Sequence, residues 1–258
     1  MQKPLILVTN DDGIEAEGIK FLTESLANDA DIVVVAPAQE QSATSLSITL
    51  RNPLQFKKKP FGKFEAYAVN GTPADSVKMA LSVILNRKPS LIVSGINRGS
   101  NAGRNVLYSG TVSAVIEGAL RGIPGIAFSC WDMQSPDYSL AAKHVPSLVK
   151  YIFENPLDEG ILLNVNFPSH QAPPFKGIKM TRQGYQYWLE NPQERAHPHG
   201  ERYYWLGSRL SDKADHEESD TYWLNQGFAT AVPVNVGELT HHETLKRKSD
   251  FERFFLTS

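Results

Sequence analysis

Residues 5–13 read Leu-Ile-Leu-Val-Thr-Asn-Asp-Asp-Gly and join a short apolar run to a polar, glycine-containing stretch. Such a pattern predicts a buried strand that ends in a turn. A second apolar run, at residues 32–35, is rich in β-branched side chains and predicts another strand. Apolar residues recur at helical spacing between the two runs: Ile19, Leu22 and Leu26. The first 37 residues therefore predict the order strand, helix, strand.

The same alternation continues along the next 130 or so residues. Apolar stripes at residues 77–85 and 112–120 predict helices, and short apolar runs predict strands at 91–93, 126–128 and 161–165. Strands that alternate with helices predict an α/β fold, with a mostly parallel sheet covered on both faces. Two segments whose apolar residues alternate predict looser strands: Leu46 to Leu50 and Phe64 to Ala68.

The character of the sequence changes after residue 166. Prolines punctuate the chain there, and aromatic residues cluster with no helical stripe before the last 17 residues. We predict a metal- and phosphate-binding core at 1–166 and, at 167–258, an extension of hairpins and a terminal helix. Such an extension either packs on another subunit or caps its own core, and composition leaves both open.

The overall composition excludes several classes of protein. The 258-residue chain is 41% hydrophobic and 21% charged, which is ordinary for a globular protein and too apolar for a disordered one. A formal net charge of −2 gives no general attraction to a nucleic acid duplex or an anionic membrane. Cys130 is the one cysteine, and the sequence has no signal peptide pattern and no run long enough for a membrane span. We therefore expect a cytoplasmic protein without disulfides.

Polar side chains follow three of the predicted strands. Asp11 and Asp12 follow the first strand, and Ser42 lies in the loop after the second. Asn97 and Asn101 follow the strand at 91–93. Because ligands of open α/β sheets bind outside the carboxyl ends of the strands, we expect these side chains on one edge of the sheet.

The adjacent carboxylates of Asp11 and Asp12 indicate a cation. Two acids at the end of a buried strand need a positive charge nearby, and no Lys or Arg adjoins them in the sequence. The oxygen donors at hand suit Mg²⁺, Mn²⁺ or Ca²⁺ better than Zn²⁺. The alternative is an Asp pair that only caps the following turn or helix.

The residues before the stripe at 112–120 indicate an anion site. Ser109, Gly110 and Thr111 would present the unpaired N–H groups of a helix start, which can cradle a phosphate. The alternative is that Ser109 or Thr111 is an ordinary helix cap. Together with the carboxylates, these residues suggest a metal-assisted phosphate site, although the sequence has neither a P-loop nor a Gly-x-Ser-x-Gly motif.

Four motifs together resemble the SurE survival-protein family. Their order and spacing match over about residues 5–168. The motifs are Asn10-Asp11-Asp12-Gly13-Ile14, Gly71-Thr72-Pro73-Ala74-Asp75-Ser76-Val77, the stretch 94–112, and Asn164-Val165-Asn166-Phe167-Pro168.

The resemblance implies both a fold and an activity. The fold would be a Rossmann-like core whose C-terminal segments are exchanged within a homodimer or homotetramer. The activity would be that of a metal-dependent 5′-nucleotidase, which releases phosphate from nucleoside monophosphates and in some members also acts on 3′-nucleotides or trims polyphosphate. One divalent ion per subunit, Mg²⁺ or Mn²⁺, would be held by four residues: Asp11, Asp12, Ser42 and Asn97.

On this basis we expect a metal-activated water to attack phosphorus. Asp11 or Asp12 would act as the base, or as the nucleophile. The phosphoryl oxygens would contact a set of polar groups: Asn101, Ser109, Gly110 and Thr111. Two alternatives stay open, a nucleotide sensor without turnover and a hydrolase of polyphosphate or a phosphosugar.

Overall fold

A nine-stranded mixed sheet forms the centre of the protein in a computed structural model that describes residues 3–256. Neighbouring parallel strands make up most of it: β1 (Leu5–Thr9), β2 (Asp31–Pro37), β4 (Glu65–Val69), β5 (Leu91–Arg98), β6 (Gly125–Cys130) and β7 (Ile161–Phe167). The strands that run the other way are β3 (Phe56–Lys58), β8 (Gly177–Met180) and β13 (Phe228–Asn235). The order across the sheet is β3-β4-β2-β1-β5-β6-β7-β13-β8, which confirms the predicted α/β class.

Helices cover both faces of the sheet. One face carries α1 (Glu17–Ser25) and α4 (Tyr138–Glu154), and the other carries α2 (Pro73–Met79) and α3 (Gly110–Ala119). In β1, Ile6 and Val8 pack toward α1 and α4, whereas Leu5 and Leu7 pack toward α2 and α3. Because successive side chains of a strand point to opposite faces and both faces are buried, this strand is an unbroken apolar run. Along residues 3–256, no helix combines the length and apolar character that crossing a membrane requires.

The predicted strand at residues 46–50 does not form. The Asp75 carboxylate at the start of α2 accepts hydrogen bonds from the Thr49 backbone N–H (3.0 Å) and hydroxyl (2.6 Å). This side chain supplies the partner that a neighbouring strand would otherwise supply, and Leu50 stays 83% exposed. The companion prediction at residues 64–68 is confirmed by β4, which pairs with β2.

Part of the segment 167–258 completes the central sheet. Strand β13 pairs antiparallel with β7, β8 pairs with β13, and helix α5 (Asp220–Asn225) packs against β13. The remaining elements are the hairpin of β10 (Gln193–Ala196) and β11 (Arg202–Trp205), the pair β9 (Trp188–Leu189) and β12 (Arg209–Leu210), and helices α6 (His242–Leu245) and α7 (Lys248–Leu256). Hairpins and a terminal helix are therefore present, beside two sheet strands that the sequence pattern did not predict. The division at residue 166 and the exchange of segments between subunits stay predictions.

Candidate metal and phosphate site

Three of the four predicted metal ligands lie at the carboxyl ends of β1 and β5. Asp11 and Asp12 follow β1, and Asn97 lies near the end of β5. Strand β1 lies between β2 and β5. From β1 the sheet extends through β2 and β4 in one direction and through β5, β6 and β7 in the other. The strand order therefore reverses between β1 and β5, and open α/β sheets bind ligands at such a position.

Asp11 is buried against the first turn of α3. The Thr111 hydroxyl donates a hydrogen bond to Asp11 Oδ1. A Cβ atom on Gly110 would lie 2.7 Å from the Asp11 Cβ, so the close approach of helix and carboxylate requires glycine at that position. Burial raises the pKa of Asp11 to about 7, and the hydrogen bond from Thr111 opposes that rise.

Asp12 faces the loop that follows β5. The Arg98 backbone N–H donates to Asp12 Oδ2 at 3.1 Å, and the Arg98 guanidinium lies 3.4 Å from the Glu40 carboxylate. Burial raises the pKa of Asp12, and the negative charge of Glu40 adds to that rise while Arg98 opposes it. Glu40 was not among the residues predicted from the sequence, since an exposed acid in a polar loop carries no distinguishing pattern.

The other two predicted metal ligands lie beside the carboxylates. Asn97 is buried, and its Nδ2 donates to the Gly99 carbonyl at 2.7 Å, an orientation that leaves the side-chain oxygen for a cation. Ser42 is exposed, and its hydroxyl donates to Glu40 Oε1 at 2.6 Å. The Ser42 loop is held to β1 by a bond of 2.8 Å from the Gln41 N–H to the Asp11 carbonyl. Because the hydroxyl donates its hydrogen to Glu40, its oxygen lone pairs stay available to a cation.

The chemistry of these groups fits a hard divalent cation. All donors would be oxygens: two carboxylates, one amide and one hydroxyl. Over residues 3–256, no three His, Cys, Asp or Glu side chains form a metal cluster, so a softer site is not found in this part of the chain. Burial is the main cause of the raised pKa of both adjacent acids, and a bound cation would favour their charged forms.

The four predicted phosphate contacts are brought together at the start of α3. Ser109 accepts a bond of 3.0 Å from the Val112 N–H, and is therefore the helix cap that was the alternative interpretation. The Thr111 hydroxyl is directed at Asp11. The Asn101 side chain donates to Ser129 Oγ at 2.8 Å and lies 3.4 Å from Thr111 Oγ1. A role in phosphate binding stays a prediction for these residues and for Gly110.

Two buried amides on β7 were not among the site residues predicted from the sequence. Asn164 and Asn166 are fully buried on β7 and both bond to the backbone of Asn101. A signal was present in the sequence: two amides alternate within the otherwise apolar run Ile161–Phe167, and burying them is costly unless each finds partners.

The chain is similar to known proteins over nearly its whole length. The family model described as "Survival protein SurE" matches residues 6–190. A protein named 5′-nucleotidase SurE from Protochlamydia amoebophila is 54% identical over 256 residues, which are 98% of this chain and 98% of that one. A protein of the same name from Thermosipho africanus is 42% identical over 94% and 95% of the two chains. The crystal structure of the SurE protein from Aquifex aeolicus has a TM-score of 0.82 at 36% identity, covering 96% of this chain and all (100%) of that chain.

Proposed function

The chain belongs to the SurE family, and on that premise we propose that it is a metal-dependent 5′-nucleotidase that releases phosphate from nucleoside monophosphates. The observation that carries the proposal is the contact between Asp11 and the first turn of α3. It places an acid suited to a cation beside helix N–H groups suited to a phosphate. We propose nucleoside 3′-monophosphates and polyphosphate as further substrates.

We propose one divalent cation per subunit, Mg²⁺ or Mn²⁺, with four protein ligands: Asp11, Asp12, Ser42 and Asn97. When bound, such a cation supplies a Lewis acid for a phosphate oxygen and lowers the pKa of water. The all-oxygen donor set and the adjacent carboxylates of Asp11 and Asp12 support this assignment.

The chain's own residues have separate tasks in this proposal. Thr111 orients the Asp11 carboxylate, and the Gly110 N–H at the start of α3 together with Asn101 binds the phosphoryl oxygens, since the Val112 N–H already bonds to Ser109. Asp11 or Asp12 accepts the proton of the attacking water, or one of them attacks phosphorus itself. The stereochemistry at phosphorus separates the routes, because direct attack by water inverts the configuration of a chiral phosphate ester, whereas two displacements through a phosphoaspartate retain it.

The proposed assembly is a homodimer or homotetramer in the cytoplasm. Exposed aromatic side chains on the β10–β11 hairpin support contact with another subunit, with Tyr204 56% and Trp205 67% exposed. The free, buried thiol of Cys130 is in keeping with the proposed reducing compartment.

The test is phosphate release from nucleoside 5′- and 3′-monophosphates, polyphosphate and a phosphosugar, with Mn²⁺, Mg²⁺ or EDTA. We expect release from the 5′-nucleotides with metal and none with EDTA. Asp12→Asn keeps the shape of the side chain and removes one charge, so release should fall by about a hundredfold or more. Asp29→Asn, at an exposed position, is the matched control and should behave like wild type.

The same panel distinguishes the alternatives. Nucleotide binding without release under any metal would favour a sensor and overturn the proposal. Release confined to polyphosphate or the phosphosugar would keep the phosphatase chemistry and change the substrate class.

A further inference from the structure

We propose that Asn164 and Asn166 are positioning residues that hold Asn101 in place for the phosphoryl group, an inference that rests on the proposed function. Both lie on β7 at alternate positions, so their side chains share the sheet face covered by α2 and α3. Both are fully buried (0% exposed) in a strand whose other residues are mostly apolar. An apolar side chain would serve packing at lower cost, so the two amides indicate another role.

The two amides bind both polar groups of the Asn101 backbone. Asn166 Oδ1 accepts a bond of 2.8 Å from the Asn101 N–H and one of 3.1 Å from the Ser100 hydroxyl. Asn164 Nδ2 donates to the Asn101 carbonyl at 2.9 Å. The backbone of Asn101 is thereby fixed to β7 on either side of its Cα atom.

The backbone of Asn101 also determines which way each amide points. Its N–H requires an acceptor, so the oxygen of Asn166 faces it and Nδ2 of Asn166 faces Asn164 Oδ1, at 3.3 Å. That contact directs Nδ2 of Asn164 toward the Asn101 carbonyl, which requires a donor. The side-chain amides of Asn164 and Asn166 therefore each have one orientation that satisfies this set of hydrogen bonds. Replacing either amide disturbs the other.

Asn101 connects this pair to the metal site. Its side chain donates to Ser129 Oγ and lies 3.4 Å from Thr111 Oγ1, whose hydroxyl donates to Asp11. With the backbone held by β7, these contacts place the Asn101 side chain beside Ser129 on β6 and Thr111 on α3. The pair on β7 thereby sets the position from which the Asn101 amide meets the substrate.

The test compares two variants at Asn166 with a control on the neighbouring strand. Asn166→Leu removes the acceptor for the Asn101 N–H at similar volume, whereas Asn166→Asp keeps it. Thr230→Val is the matched control, since Thr230 lies opposite Asn166 on β13, is fully buried, and has a hydroxyl with no hydrogen-bond partner among the described residues. We expect Asn166→Leu to lower kcat by about tenfold to a hundredfold with little change in KM, and Asn166→Asp to recover part of the loss. Thr230→Val should match wild type.

A double-mutant cycle with Asn101→Ala separates positioning from a general loss of fold. If the pair acts through Asn101, Asn166→Leu should lower kcat/KM by less than about twofold in the Asn101→Ala background. Hydrogen exchange of the backbone around residues 98–104 gives a readout that needs no activity, and it should quicken in Asn166→Leu but not in Thr230→Val.

Each outcome decides the inference. Independent, multiplicative effects of the substitutions at positions 101 and 166 would overturn it, as would unchanged exchange around residues 98–104. Faster exchange in Asn166→Leu together with coupling to Asn101 would support it. If wild type releases no phosphate, the proposed function fails, while the exchange data still decide whether β7 holds the loop.

Discussion

The hydroxyl of Thr111 donates a hydrogen bond to the carboxylate of Asp11, a residue 100 positions earlier in the chain. The bond joins the segment after β1 to the first turn of α3, at the edge of the sheet where the parallel strands β1 and β5 end. The turn that the sequence marks as a phosphate cradle therefore also orients an acid of the proposed metal site. A group that donates a hydrogen bond to a metal ligand, as Thr111 does to Asp11, commonly affects the affinity for the metal.

Replacing Thr111 with Val should weaken metal binding. The variant keeps the shape of the side chain and removes the donor that favours the charged form of Asp11. We expect the Mn²⁺ concentration for half-maximal phosphate release to rise by about tenfold or more. Thr230→Val removes a buried hydroxyl that has no partner in residues 3–256 and should leave the Mn²⁺ requirement unchanged. An unaltered requirement in Thr111→Val would show that this bond does not support the metal.

The metal-free protein should lose stability through Asp11 as the pH rises from about 4 to 7. The pKa of Asp11 rises from 3.8 in the unfolded chain to about 7 in the folded one, so in this window the folded state holds the extra proton. The free energy of unfolding then falls with rising pH. Asp11→Asn cannot ionise and should be more stable than metal-free wild type at pH 8, by on the order of a few kcal/mol, and equal to it near pH 4.

Urea denaturation of both proteins in EDTA measures this difference. The comparison isolates Asp11, because acids whose pKa is lowered in the fold, such as Asp75 and Asp215, contribute the opposite trend equally to both proteins. A stability difference that does not depend on pH would contradict the prediction. With Mn²⁺ present, wild type should gain stability at pH 8 and the variant should not.

Ser42 and Glu40 should differ in their effects if Ser42 is a metal ligand. Ser42→Ala then lowers metal affinity, since it removes an oxygen donor. Glu40→Gln keeps an oxygen that accepts the hydrogen bond from the Ser42 hydroxyl, and it removes the negative charge that raises the pKa of Asp12. We expect Mn²⁺ titrations of phosphate release to show weaker binding in Ser42→Ala but not in Glu40→Gln. Equal losses in both would indicate that Ser42 serves only to hold Glu40, and Ser25→Ala on α1 is the remote control.

Asp220 should be a major determinant of stability. Its buried carboxylate accepts N–H bonds from Gly103 (2.9 Å), Gly184 (2.9 Å) and Thr221 (2.8 Å), and one from the Gln183 side chain (2.9 Å). The amide of Asp220→Asn would turn an NH₂ group toward some of these donors. We expect a loss of about 2–4 kcal/mol in the free energy of unfolding, measured with urea.

The control for that measurement is a second aspartate in the same part of the chain. The side chain of Asp212 is 89% exposed and pairs with Arg209 at 3.0 Å. Asp212→Asn should change the free energy of unfolding by less than about 0.5 kcal/mol. Equal stability of the two variants would show that the bonds of Asp220 are replaced by water.

Much of the fold follows from local pattern. Residues 5–9 are apolar without interruption because both faces of β1 are covered, and the stripe at 112–120 becomes α3 because its apolar side faces the sheet. The pattern failed at Leu46 to Leu50, where the Asp75 side chain satisfies the backbone. It also failed to show that residues 228–235 pair with β7, about 65 residues earlier, since strand pairing depends on which distant segment is available.

The sequence by itself determined the class of fold, the two adjacent acids and the family, because side-chain periodicity and short motifs are local properties of the chain. Only the tertiary structure decided that Thr111 binds Asp11, that Ser109 caps α3 and that Asn164 and Asn166 hold Asn101. The physical reason is that a buried polar group must find its hydrogen-bond partners wherever loops from distant strands meet. The contacts between these loops are determined by the order of strands in the sheet and not by the spacing of residues along the chain.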